Sequence, residues 1–249
     1  KALLSKIALM ITNNFILLAI WLAVFSTLGS IGNWKSPDMI ILYGVVSLSI
    51  GFADFFGFYS RFIADIVFDG SFDYYLRFPI NPLFHLVFRN CSIFALGDIS
   101  FGYITILAGV MLSAESAISL FMILLLLLKS TIICMIGALF FISFNILINS
   151  TVFFLGRVSR LVSDLSFSVV LFGTYPKPLF QNWFKIIIYT IVPAAYIVFM
   201  PMELIVRFDL SSFLILLNVL VIYSFLGVTL FQVGLKKYKS SNLFTAIKS

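Results

Sequence analysis

Charge is what this sequence most lacks. Sixteen Lys or Arg and ten Asp or Glu make up 10% of its 249 residues, and hydrophobic residues make up 62%. Soluble domains carry about 25% and about 45–50%. So few charged side chains cannot cover a water-exposed surface of this size, which makes lipid the solvent of the fold. One histidine, His85, and two cysteines, Cys91 and Cys134, exclude most zinc, haem and iron–sulfur sites. They equally exclude a disulfide-stapled secreted domain. Both cysteines lie in apolar stretches without CxxC spacing and read as small buried hydrophobes. No GxxxxGK[ST], HExxH, GxSxG or strand-linked GxGxxG occurs, so the chain has no phosphate cradle, zinc helix or nucleophile elbow of its own. His85 alone reads as a loop or interfacial histidine. The chain by itself is expected to be no enzyme and to hold no metal or cofactor. The net charge of +6 is no nucleic-acid footprint, because the basic residues are scattered between apolar runs.

What is present is apolar length. A bilayer core about 30 Å thick takes roughly 20 apolar residues in a helix. Such stretches lie at about 7–28, 39–60, 90–112, 117–142 and 211–235, and a sixth at 153–173 carries Arg157, Arg160 and Asp164. The first reads as an uncleaved helix rather than a signal sequence. The expected fold is an all-α polytopic membrane protein, one transmembrane domain over 1–249. It has six transmembrane helices, a short cytoplasmic helix between the second and third, and an external re-entrant helical hairpin before the sixth. With both termini cytoplasmic, eleven basic residues fall inside: Lys1, Lys6, Arg61, Arg77, Arg89, Arg157, Arg160, Lys236, Lys237, Lys239 and Lys248. Four fall outside, namely Lys35, Lys177, Lys185 and Arg207, which is the bias that cytoplasmic loops show. Residues 175–206 are expected to dip and return. Pro176 and Pro178 favour a turn, Pro193 breaks the apolar run and Pro201 follows it. Counting 183–200 as a crossing would place the basic C-terminus outside.

The inner segment 64–89 is the richest in signals. Asp69-Gly70 marks a turn, Ser71 and Asp73 open a helix, and Arg77 lies near its end. Phe72, Tyr75 and Leu76 are spaced i, i+3 and i+4 to share one face, and Pro79 and Pro82 stop the helix. Such a turn suits either a headgroup layer or a cytosolic partner.

This order of a Gly, a short Leu/Asp/Phe helix, an Arg-x-Pro and an Asn-Pro between the second and third spans resembles the ABC-2 type permeases. The branch it resembles is that of the ABC-2 family transporter proteins, which includes drug and antibiotic exporter permeases. The block Thr174-Tyr175-Pro176-Lys177-Pro178-Leu179-Phe180, then Ile191-Val192-Pro193 and Phe199-Met200-Pro201, is similar to that branch before its last span. The resemblance implies a membrane subunit of an ATP-driven exporter of hydrophobic or amphipathic cargo, resident in a bacterial plasma membrane. It implies two permease chains, identical or homologous, docked on a dimer of ABC ATPase subunits that hold the ATP and Mg. Gly70, Phe72, Asp73, Tyr75, Leu76, Arg77 and Pro79 would then form the coupling helix, and Tyr175, Pro176, Pro193 and Pro201 the external hairpin. The alternatives are an ion-coupled secondary transporter, with Asp98 its carboxylate, and a membrane scaffold without transport.

Charges inside spans are costly and face a partner or a cavity. Asp54, Arg61 and Asp65 follow one another at i, i+7 and i+11, with Arg61 and Asp65 spaced as an i,i+4 pair. Arg157, Arg160 and Asp164 are expected to lie on one face turned into the protein. Asp98 and Lys129, on neighbouring antiparallel spans, are candidates to neutralise each other. Two readings stand for all of these: a polar pathway, or internal ion pairs that fix packing. Asn13 and Asn14 suit interhelical hydrogen bonds. The 30 Phe residues suit lipid contact and span packing, or an aromatic cargo cavity.

Overall fold

A computed structural model describes residues 2–114 and 119–238, without the side chains of 2–4 and 6. Lys1, Lys239 and Lys248 lie outside the described residues. The helices are α1 (Ala2–Leu28), α2 (Ser36–Gly57), α3 (Ile63–Phe68), α4 (Asp73–Leu76), α5 (Pro82–Phe88), α6 (Leu96–Ser113), α7 (Leu120–Asn149), α8 (Val152–Leu155), α9 (Ser159–Gly173), α10 (Trp183–Thr190), α11 (Met200–Val206) and α12 (Leu210–Leu235). No strand occurs among the described residues. Five stretches are long and apolar enough to cross a membrane: Ile7–Leu28, Ser36–Phe68, Ile93–Ser113, Leu120–Leu155 and Leu210–Leu235. The chain is a polytopic helical membrane protein.

Antiparallel α2 and α6 form the closest-packed seam. A Cβ on Gly102 would stand 2.8 Å from the Leu48 backbone nitrogen and 2.9 Å from the Gly44 carbonyl oxygen. One on Gly44 would meet the Ile106 nitrogen at 2.8 Å. Backbones approach this closely only where side chains are missing. In lipid, where burial of apolar surface drives no helix association, such contact supplies the packing energy. Tyr103 and Thr131 share a hydroxyl hydrogen bond of 2.6 Å that sets the register of α6 on α7.

Two expected spans differ from those observed. The stretch 117–142 is helical as far as Asn149, 30 residues or about 45 Å. Asn145 and Asn149, in its last two turns, are both fully buried. Each amide donates to the carbonyl four residues earlier, at 2.9 Å and 2.8 Å. The Asn145 side-chain oxygen accepts from Ser166 at 2.6 Å, and that of Asn149 from the Ala64 N–H at 3.0 Å. The latter contact serves a break in the second span, where the 3₁₀ turn Phe58–Phe62 leads into α3. The stretch 153–173 is divided at Gly156, which has φ +71°, and resumes only at Ser159. Its 15 residues reach about 22 Å, short of the hydrocarbon thickness. Cys134 is buried as expected, whereas Cys91 is exposed.

Residues 175–206 contain the expected break. Trp183–Thr190 and Ala195–Val206 are bent by 76° around Pro193, and Ala195–Phe199 forms a π-helical turn. Lys177 is ion-paired with Glu203, and Pro178 lies against Gly32, so both limbs meet at one end of the bundle. The bend lies deeper. Tyr196 packs 5.3 Å from Phe140, and the Thr190 carbonyl accepts from Tyr223 at 3.4 Å, halfway along α7 and α12. Ala195, Ile197, Val198 and Phe199 are buried, so the irregular backbone is covered by protein, as membrane depth requires. At the opposite end Ile7 packs on Gly97, and Phe231 and Tyr238 pack on Phe72. Both ends of the described chain therefore share a face with segment 64–89.

Candidate functional site

Gly70 takes φ +75°, a left-handed turn that glycine enters without Cβ strain, and so reverses the chain after α3. The Phe72 N–H then donates to the Ile66 carbonyl at 3.0 Å. The Phe72 ring is fully buried among Phe153, Phe231 and Tyr238, with centroids 6.1, 5.9 and 5.2 Å away. Tyr75 stacks on it at 6.2 Å. Arg89 donates to the Tyr75 hydroxyl and, at 3.3 Å, to that of Tyr59, whose ring it covers at 4.2 Å. The Tyr238 hydroxyl donates to the Asp73 carboxylate at 2.9 Å. Burial, reinforced by that carboxylate, pushes the Tyr238 hydroxyl up to about 12. Asn81 accepts from the Leu83 and Phe84 N–H groups and starts α5.

The expected common face of Phe72, Tyr75 and Leu76 is divided. Phe72 and Tyr75 point into the protein and Leu76 points out, 42% exposed. The reason is length: α4 is a single turn of four residues that begins only at Asp73, too short to hold an i, i+3, i+4 stripe on one side. The outward apolar surface is Tyr74, Leu76 and Phe78, with Arg77 and Pro79 exposed beside them. Spacing alone missed Tyr74 and Phe78, because nothing local marks which side of one turn faces the bundle. His85 lies on α5 rather than in a loop, half-buried and packed edge-on against Tyr75 and Phe78 at 5.2 and 4.8 Å.

The intramembrane charges pair differently from their spacing. Arg61 bridges to Asp54 at 2.7 Å rather than to Asp65, and lies 4.8 Å above the Phe141 ring. The 3₁₀ turn carrying Arg61 disrupts the α-helical register that an i,i+4 pair requires. Asp98 accepts from Asn14 at 2.6 Å. Lys129 does not meet it, but donates to the Ile205 carbonyl at 2.8 Å. With Tyr103 level with Thr131, Asp98 and Lys129 are offset by about 10 Å along antiparallel helices. The face that α9 turns inward is Val162, Ser166, Val169 and Gly173. Arg157, Arg160 and Asp164 are exposed on the single chain, contrary to the expected inward face. Asp65, Asp69, Arg157 and Arg160 line a cleft of about 640 Å³ at the end that carries segment 64–89.

At the other end Asp209 caps α12, accepting from the Ser211 hydroxyl at 2.5 Å and the Ser212 N–H at 2.8 Å. Those bonds hold its carboxyl down at about 2, below the ordinary 3.8. A depressed pKa stabilises the fold above the unfolded value, and the gain is lost as pH falls through the folded one. The melting temperature of Asp209→Ala should therefore lie below wild type by a constant gap above about pH 4. That gap should close as pH approaches about 2. A thermal unfolding series in detergent across that range checks it.

Residues 9–242 match the model of a family described as ABC-2 family transporter protein. No curated protein and no solved structure matches the chain.

Proposed function

The chain belongs to the ABC-2 family of transporter proteins, and on that premise we propose that it is the permease of an ATP-driven exporter coupled through segment Gly70–Phe78. Family membership makes it a membrane permease of an ABC transporter, a transport component rather than an enzyme, with an ABC ATPase as its partner. ATP and Mg belong to that ATPase. The observation that carries the coupling reading is the two-sided build of the segment. Tyr74, Leu76 and Phe78 are exposed, a ready apolar contact for a cytosolic groove. Behind them Phe72 and Tyr75 are packed into α8, α12 and Arg89. A push on the outer side is delivered to packed aromatic rings rather than absorbed by a loose loop.

The same face carries Arg61, Arg77, Arg89, Arg157, Arg160, Lys236 and Lys237, and by the charge rule we assign it to the cytoplasm. The hairpin 175–206, with Tyr175, Pro176, Pro193 and Pro201, then dips into the outer leaflet and gates release. A second permease chain, identical or homologous, covers the exposed face of α9. Leaving Asp164 in hydrocarbon would cost about 2.5–3.5 kcal/mol. That face mixes Arg160 and Asp164 with Phe167 and Leu171, which suits an amphipathic cargo passing between the two chains. A bacterial plasma membrane fits this assembly.

The test is copurification of an untagged Walker A-containing ATPase with the tagged permease, followed by reconstitution. ATP-dependent, vanadate-sensitive outward movement of an amphipathic dye is expected. Failure to retain any ATPase, with movement that follows an ion gradient instead, would overturn the reading.

A further inference from the structure

Where α7, α12 and the link before α12 meet, Leu125, Leu128, Ile132, Ile133, Phe208 and Phe213 enclose an apolar groove of about 280 Å³. One charge, Lys129, lies on its wall. An ammonium group has three N–H bonds to satisfy, and among the described residues this one makes a single hydrogen bond, to the Ile205 carbonyl near the end of α11. It also lies over the Phe208 ring face, 5.8 Å from the centroid. Among the described residues no carboxylate lies within ion-pairing distance of it, the ion pairs being Asp54–Arg61 and Lys177–Glu203. A partly buried cation in an apolar wall calls for an anion from outside the chain.

The level of the site identifies that anion's carrier. Ile205 and Phe208 lie four residues and one residue before Asp209, the cap of α12, so Lys129 stands where that span begins. Ile132 and Ile133 lie one turn further into the membrane along α7, as Phe213 does along α12. A ligand with its charge at Lys129 and its tail against these residues is oriented like a lipid of the leaflet on the hairpin side. We propose that this groove binds one anionic phospholipid, its phosphate on Lys129 and an acyl chain between α7 and α12. Because the same ammonium holds the end of α11, the lipid also fastens the inner limb of the hairpin to α7.

The full chain, purified in mild detergent, is given phosphatidylglycerol or phosphatidylcholine with identical acyl chains, and retained lipid is read by native mass spectrometry. One phosphatidylglycerol per chain is expected, preferred about fivefold, the worth of one basic residue at an anionic lipid surface. Lys129→Gln should abolish the preference. Leu128→Trp fills the groove from an exposed position that is not part of the core, and should expel both lipids while the chain stays folded. Equal retention of the two lipids by the wild type, or wild-type phosphatidylglycerol retention by folded Leu128→Trp, would overturn the assignment.

Discussion

Replacing Tyr74 and Leu76 together by Asp is expected to weaken the ATPase complex about a hundredfold and to abolish ATP-driven transport. Two exposed anchors at the centre of an interface contribute about 1–2 kcal/mol each, and each 1.4 kcal/mol is tenfold. Both side chains point away from the protein, so the melting temperature of the permease alone should not change. Phe72→Ala has the opposite signature. It empties a fully buried site between Phe153, Phe231 and Tyr238, at a cost of about 3–5 kcal/mol. There the fold should fail before the coupling does. Copurification and thermal unfolding, measured side by side, separate the two. A double mutant that binds its ATPase and transports at the wild-type rate would remove segment Gly70–Phe78 from the coupling path.

Gly102→Leu should be the most damaging single change in the membrane interior. The first added carbon already stands 2.8 Å from the Leu48 backbone nitrogen and 2.9 Å from the Gly44 carbonyl oxygen. Both obstacles are backbone, so no side chain has a rotamer that makes room. Overpacking of this kind costs about 1–3 kcal/mol even where neighbours adjust, and here α2 and α6 must separate along their length. The separation would also loosen the Asn14–Asp98 bond, since Asp98 lies on α6 beside Gly51 of α2. A melting temperature lowered by several degrees or more, or loss of the monodisperse species, is expected. Ile104→Leu, on the outer surface of α6, should be silent. A Gly102→Leu protein as stable as wild type would show that the seam is not a principal packing contact.

Asn145 and Asn149 illustrate what local reading misses. They lie past the expected end of the fourth span at 142, yet in the bundle they are internal and satisfied by Ser166, by Ala64 and by their own helix. Hydropathy prices a polar residue against lipid, whereas these face protein. The expected Lys129–Asp98 pair does not form, because opposite charge on neighbouring spans says nothing about axial offset, which the Tyr103–Thr131 contact decides. The spacing marks Phe72 and Tyr75 as part of an apolar turn, but one helical turn has no face of its own until something packs on it.

The sequence by itself determined the solvent, the helical class, five of the apolar spans, the break at Pro193 and the family. Each follows from local, nearly additive quantities: transfer free energy per residue, the missing N–H of proline, the order of short motifs along the chain. The tertiary structure alone decided which partner each charge takes, which side of the turn after Gly70 faces outward, and that the stretch 153–173 is broken at Gly156 and runs as one helix only from Ser159. Those depend on the axial register and rotation of antiparallel helices. That register is set where Gly44 and Gly102 let two backbones touch, by contacts between residues tens of positions apart.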